Sequence, residues 1–162
     1  ADNLEGDIGL HCVRLSNLIL ANMVTFLLLM AYYRPKALVV MEQPKSSWLF
    51  RQVRCLEVIW RLNMEKYLTY MGSWGGLLLK GTHLMSNFSL KAMVRKCTKK
   101  LKEKVAQRVE AMNRKRVAAG KPKKVFWVRT PDKKFHGGKD LASTAIYPKR
   151  FARAVFKCWL KA

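Results

Sequence analysis

The chain has 162 residues, half of them hydrophobic, which suits one domain with a substantial core. It carries 32 Lys and Arg against 10 Asp and Glu, a formal net charge of +22. So large an excess opposes compaction by self-repulsion unless a polyanion neutralises it. A nucleic acid is therefore the first candidate partner and an anionic membrane surface the second.

The cysteines and histidines do not form a recognisable metal or catalytic motif. The four cysteines are widely spaced, with no Cys-x-x-Cys pair and no nearby histidine at metal-ligand spacing, so we predict reduced core thiols and no metal site. No histidine is paired with a plausible catalytic nucleophile or a second metal ligand, which favours structural or surface roles. The residues concerned are Cys12, Cys55, Cys97, Cys158, His11, His83 and His136.

No signal or transit segment is visible, and we expect an intracellular protein of the nucleus or an organelle. The chain begins on Ala1 rather than on a methionine, which suggests a processed product or an excerpt of a longer protein.

Residues 13–33 are apolar on nearly every side and predict a helix that ends before Pro35. Residues 15–33 carry no charge and, at about 1.5 Å per residue, reach roughly 28 Å, enough to span a bilayer. The polar Asn22 and Thr25 and the strand that follows favour a buried core helix. Membrane contact through residues 15–33 remains the alternative.

Residues 37–41 are continuously apolar, which is typical of a parallel strand covered on both faces. A helix over residues 47–62, a strand over 67–71, a glycine-rich turn and a short strand over 83–85 follow. This alternation predicts an α/β fold with a mostly parallel sheet. The first strand ends on the carboxylate Glu42, at the edge where ligands bind in such sheets.

Residues 89–119 predict a long helix, capped by Ser89 and ended by Gly120, with apolar residues every three or four positions. Its other faces are filled by Lys and Arg with few acids, which favours phosphate contacts over a merely solvated face. Within residues 91–134 there are 17 Lys or Arg against three acids. The predicted nucleic-acid contacts are Lys99, Lys100, Lys102, Lys104, Arg108, Arg114, Lys115, Arg116, Lys123 and Lys124.

The C-terminal part predicts a hairpin and a last helix. The hairpin turns at Thr-Pro-Asp and returns to a Gly-Gly pair, and Pro148 opens the helix. Phe151 and Trp159 lie at helical spacing, which is more typical of core than of base stacking. We therefore expect a half-domain over 1–88, a basic helical insertion over 89–124, and a hairpin and helix over 125–162 that complete the same domain.

The segment "VVMEQP", followed by a helix and by "YMGSWGGLLLKGTHLMSN", resembles the second half of the catalytic domain of cytosine-5 DNA methyltransferases. It is more similar to the divergent methyltransferase-like proteins of protist algae, as are "DNLEGD", "VRLSN" and "GGKDLASTAIYP". The resemblance implies a Rossmann-like partial methyltransferase domain. It also implies that Glu42, followed by Gln43 and Pro44, holds a flipped-out cytosine in a base pocket.

The methyltransferase family also needs a glycine-rich loop for S-adenosylmethionine and a Pro-Cys nucleophile, and neither occurs in this sequence. We therefore predict no cofactor and no methyl transfer by the isolated chain. The favoured function is a non-catalytic module that binds DNA, RNA or a ribonucleoprotein through its basic surface. The alternatives are an accessory structural subunit of a large complex associated with a membrane, and half of a cytosine methyltransferase whose cofactor-binding half lies elsewhere.

Overall fold

The computed structural model describes residues 7, 9–129, 135–137, 140–141 and 146–162. The chain divides into two compact units. The first unit comprises Ala1–Leu68, Thr82–Val94 and Lys157–Ala162, and the second comprises Thr69–Gly81 and Arg95–Phe156.

The first unit is built on two packed helices. Helix α1 spans His11–Tyr33, and α2 spans Val53–Arg61 after a 3-10 turn at Leu49–Arg51. The Ser47 hydroxyl accepts a hydrogen bond from the Leu49 amide at 3.2 Å at the start of the 3-10 turn, whereas α2 itself begins only at Val53 and has no side-chain cap. The helices contact each other and share one apolar core, which contains Leu20, Val24, Leu27, Val39, Met41, Phe50, Cys55, Val58, Leu62, Met64 and Met85.

Burial on α1 is confined to one face. Leu20, Val24 and Leu27 are buried, whereas most of the apolar side chains on the other faces are exposed to solvent. The expectation of a helix buried on nearly every side is therefore wrong, although the helix itself lies where the sequence places it.

The sheet is small and antiparallel, so the expected mostly parallel Rossmann-like sheet is wrong. Strand β1 spans Val40–Pro44, β2 Glu65–Tyr70 and β3 Gly81–Ser86, in the order β1-β3-β2. Strand β1 pairs with β3 in antiparallel register, with Met41 opposite Met85. The strand expected in the interior of the sheet is thus at its edge.

The apolar run before Glu42 was predicted to be covered on both faces, but its side chains alternate between core and solvent. Val39 and Met41 are buried, whereas Leu38 is 36% and Val40 38% exposed. A strand with apolar residues on both faces looks the same in sequence whether it is an interior parallel strand or an antiparallel edge. The Asn87 side chain fixes the start of this segment, accepting from the Val39 amide and donating to the Ala37 carbonyl, each at 2.8 Å.

The second unit carries the long basic helix, α3, over Lys99–Ala118. Its cap is Thr98 rather than the predicted Ser89, and the Thr98 hydroxyl accepts from the Leu101 amide at 3.2 Å. The chain before it forms only a 3-10 turn at Lys91–Met93. The helix ends, as predicted, at Gly120, whose φ is 67°.

Two short strands, β4 at Trp127–Arg129 and β5 at Phe135–Gly137, pair in antiparallel register where the hairpin was predicted. Its Thr-Pro-Asp turn lies outside the described residues. The last helix, α4, spans Lys149–Trp159 directly after Pro148, whose carbonyl accepts from the Phe151 amide at 2.8 Å.

Candidate nucleic-acid interface

Helix α3 packs against the second unit along one side only. Val105 is buried, and Leu101, Val109 and Met112 are half-buried, as the apolar spacing predicts. Over Lys99–Ala118 the sequence has eight Lys or Arg and two Glu, and most of these charges lie on the exposed sides. The helix therefore presents a strongly cationic surface to solvent.

Three exposed lysines, Lys100, Lys104 and Lys115, form a row along one side of α3. Their separations of 4 and 11 residues match whole turns of an α-helix, and the row is about 22 Å long at 1.5 Å per residue. The acids Glu103 and Glu110 are seven residues apart, and their mean direction is about 100° from that of the lysines around the helix axis, with Glu103 about 60° from Lys100. We call these three lysines the basic row.

The first turn of α3 contains Lys99, Lys100 and Lys102 and no acid. The N-terminal end of a helix carries partial positive charge, so each cation there is unfavourable by about 0.3–1 kcal/mol. An anion bound against this turn would relieve the repulsion. These lysines therefore destabilise the isolated helix, and a bound polyanion would offset that destabilisation.

The arginines predicted as phosphate contacts have partners within the protein. Nη1 of Arg108 donates to the Gly72 carbonyl at 2.6 Å and lies 3.4 Å from the Gly76 carbonyl. Nε of Arg116 donates to the Pro122 carbonyl at 2.9 Å. Arg114 forms an exposed ion pair with Glu110 at 3.2 Å. Arg108 in particular links α3 by hydrogen bonds to the turn that contains Gly72 and Gly76.

The chain after α3 is held beside the helix by Asn113. The Asn113 side chain accepts from the Lys124 amide at 2.9 Å and donates to the Lys124 carbonyl at 3.4 Å. The side chains of Lys121 and Lys123 are exposed, and Lys124 is half-buried. These two hydrogen bonds therefore keep the exposed Lys121 and Lys123 close to the C-terminal half of α3.

A cleft of about 560 Å³ lies at this end of the helix. Basic side chains line it together with small or apolar ones, so its walls combine positive charge with a low-polarity surface. The lining residues are Leu77, Arg108, Ala111, Met112, Lys115, Arg116, Ala119 and Lys121. Lys115 belongs both to the cleft and to the basic row.

The second unit positions α3 through the glycine turn. This turn is a 3-10 helix at Met71–Trp74 followed by Gly75 in the left-handed region, at φ 101°. A Cβ on Gly72 would lie 2.6 Å from a methyl group of Val105. The glycine-rich sequence "GSWGG" thus allows the close approach of α3 to the turn.

The aromatic residues of the C-terminal helix differ in burial: Phe156 and Trp159 are 55% and 45% exposed, so the expected core position of Trp159 is wrong. Phe151 is buried, stacks on Tyr147 at 5.4 Å and meets Trp74 edge-on at 6.2 Å. Arg95 lies 4.7 Å from the Trp74 ring centre and Lys80 lies 5.0 Å from that of Tyr147. The sequence shows no local signal for these cation–π pairs, because their members are distant along the chain.

The residues that match the methyltransferase pocket lie in the first unit, away in sequence from the basic helix. Glu42 is opposite Leu84 in the sheet, and β1 continues beyond it through Gln43 to Pro44. Its Oε1 atom is buried. Glu42 is therefore within the strand rather than at its end, which differs from the place that the resemblance implies.

Among the described residues, the three titratable groups with shifted pKa values lie in the first unit. Burial raises the pKa of the Cys55 thiol, which disfavours the nucleophilic thiolate. Burial lowers the pKa of His83, and the positive charges of Lys66 and Lys45 lower it further. Burial also raises the pKa of Tyr67, whose hydroxyl donates to Glu65. Within the described part of the chain, no three His, Cys, Asp or Glu residues are grouped as metal ligands.

Comparison with protein-family models, curated proteins and solved structures gives no match. The function must therefore be inferred from the geometry and charge of the chain itself.

Proposed function

We propose that this protein is a non-catalytic module that binds a nucleic-acid backbone, as DNA, RNA or part of a ribonucleoprotein, through α3. The observation that carries the proposal is the basic row, three exposed lysines along one side of α3. The methyltransferase ancestry stays a hypothesis that rests on the sequence motifs around Glu42.

The exposed lysines are suited to neutralising phosphates rather than to reading bases. Lysine ammonium groups act as mobile point charges, and phosphate contacts position a protein without conveying sequence information. The arginines best suited to bidentate base contacts, Arg108 and Arg116, are hydrogen-bonded to backbone carbonyls instead. The proposed binding therefore depends mainly on electrostatic attraction to phosphates and has little sequence preference.

A charge-reversal experiment tests the proposal. The variant K100E/K104E/K115E changes three exposed side chains; its new acid at position 100 lies in the first turn of α3, where negative charge stabilises a helix, and that at position 115 lies in the last turn, where it is mildly unfavourable. The fold should survive. Affinity for a fluorescent duplex or single strand should fall at least about tenfold at moderate salt, because three phosphate contacts are lost.

The matched control is K36E/K45E/K66E, which reverses three exposed lysines of the first unit and changes net charge equally. Under the proposal this control binds more tightly than the α3 variant. Equal losses in both variants would mean that attraction depends on net charge alone, and the assignment to α3 would fail. Unchanged binding by the α3 variant would have the same consequence.

A further inference from the structure

The face of α1 opposite the core is exposed and largely apolar, interrupted by Asn22 and Thr25. The buried side is marked by Leu20, Val24 and Leu27, whereas Phe26, on the outward face, is 60% exposed. The exposed large side chains of this outward face are Leu15, Leu18, Ile19, Phe26, Leu29, Tyr32 and Tyr33. Exposed apolar surface of this extent on a protein marks a site of interaction.

Helix α2, which packs against α1, adds a second apolar stripe. Val53, Leu56 and Trp60 are spaced as neighbours on one side of the helix and are exposed, Trp60 by 79%. Two contacting helices of the first unit thus present large apolar side chains to solvent. Neither stripe is explained by the proposed binding of α3 to phosphates.

Cations adjoin both ends of the outward face, while residues 15–33 carry no charge. Arg14 precedes it, and Arg34 and Lys36 follow Tyr32 and Tyr33. Tyrosine next to Lys or Arg is characteristic of the boundary between lipid and water, and anionic headgroups attract such cations. We propose that the outward face of α1 docks on an anionic lipid surface, with the helix lying in the plane of the membrane.

The packing of α1 favours this orientation over a membrane crossing. By length and composition α1 suffices to cross a bilayer. However, the middle of the helix packs into the protein core against α2, which carries the exposed ion pair Arg61–Glu57. Asn22 and Thr25 are also exposed on α1. Such polar groups are tolerated at headgroup depth but are costly in the hydrocarbon centre.

A second copy of the chain would be a poorer occupant of this face. Each copy carries a net charge of +22, so association of two copies works against strong repulsion. An anionic lipid surface would instead attract the positively charged chain. Charge therefore favours lipid over self-association.

Vesicle flotation tests the proposal. The chain should partition onto phosphatidylcholine vesicles containing about 30% phosphatidylserine at least about tenfold better than onto pure phosphatidylcholine. The outward-face variant F26E/L29E should lose this binding. The control V94E/V117E, which alters two exposed valines elsewhere, should retain it. The proposal does not rest on nucleic-acid binding, so the α3 charge-reversal result leaves it unaffected.

Depth measurements separate docking from crossing. Nitroxide labels on Leu15→Cys, Phe26→Cys and Tyr33→Cys, with Cys12, Cys97 and Cys158 replaced by serine, should all report one shallow depth in anionic vesicles. A deep central label between shallow ends would show a crossing helix and overturn the proposal. A dimer in light scattering that F26E/L29E abolishes, without vesicle binding by the parent chain, would assign the face to a second copy instead.

Discussion

Gly72 illustrates how a single residue positions the basic helix. Replacing it with alanine would put a Cβ 2.6 Å from a Val105 methyl group, and the branched valine has few alternative rotamers. We expect Gly72→Ala to lower the free energy of unfolding by about 1–3 kcal/mol, the usual range for overpacking. Urea denaturation would measure the change.

A double-mutant cycle shows whether the contact with Val105 is the cause. Val105→Ala removes the methyl group that clashes, so Gly72→Ala should be less destabilising in that background. Additive effects of the two substitutions would refute this explanation. They would instead indicate that Gly72 is needed for the backbone conformation of the turn.

His83 should make the stability of the first unit depend on pH. Because burial and the neighbouring lysines lower its pKa below the ordinary value of 6.5, the unfolded chain binds a proton more readily than the folded one. The free energy of unfolding should then decrease as pH falls below 6.5, with no contribution from His83 well above that value. Denaturation at several pH values, with His83→Gln as the comparison, measures this.

The variant should show a shallower loss of stability on acidification than the parent chain. Identical pH profiles for both proteins would mean that His83 titrates alike in the folded and unfolded states.

At the scale of the elements, the start of α3 depends on Thr98. Its side chain is the acceptor for the Leu101 amide, and loss of such a cap typically lowers stability by about 0.5–2 kcal/mol. Thr98→Ala should therefore increase hydrogen exchange of the Leu101 amide. Ser89→Ala, at the position that the sequence favours as the cap, should leave that amide protected. The reverse pattern would place the start of the helix at Ser89.

The elements show where sequence reasoning succeeds and where it fails. The apolar spacing of Leu101, Val105 and Met112 correctly predicts a helix and its buried side. Both Ser89 and Thr98 are good caps, however, and only the surrounding packing selects between them. The prediction of a parallel sheet is wrong for a similar reason. The apolar run before Glu42 indicates a strand but does not show which strand it pairs with, or in which direction.

The candidate site was only partly accessible from sequence. Its lysines could be predicted from charge density, and the alignment of Lys100, Lys104 and Lys115 along one side of α3 follows from helical spacing. The roles of Arg108 and Arg116 could not be predicted. Their partners are backbone carbonyls, which any sequence supplies and which only the fold brings within reach.

For the whole molecule, absence of catalysis is a direct consequence of the proposed function. The purified chain should transfer no labelled methyl group from S-adenosylmethionine to DNA or RNA, because the sequence lacks the cofactor loop and the Pro-Cys nucleophile. Methylated product in this assay, with an enzyme known to be active as the positive control, would contradict the non-catalytic assignment.

For the whole molecule, the excess of positive charge supports the proposal that α3 binds a nucleic acid by neutralising its phosphate backbone. The most direct test is the salt dependence of affinity for a duplex and for a single strand of mixed sequence. Four to six phosphate contacts predict a slope of log K against log salt of about −4 to −5 on duplex and about −3 to −4 on a single strand. The slope should be reduced by about 2 to 3 in K100E/K104E/K115E and unchanged in Glu42→Ala. Affinity that is insensitive to salt, or a slope that the α3 variant leaves intact, would contradict the account.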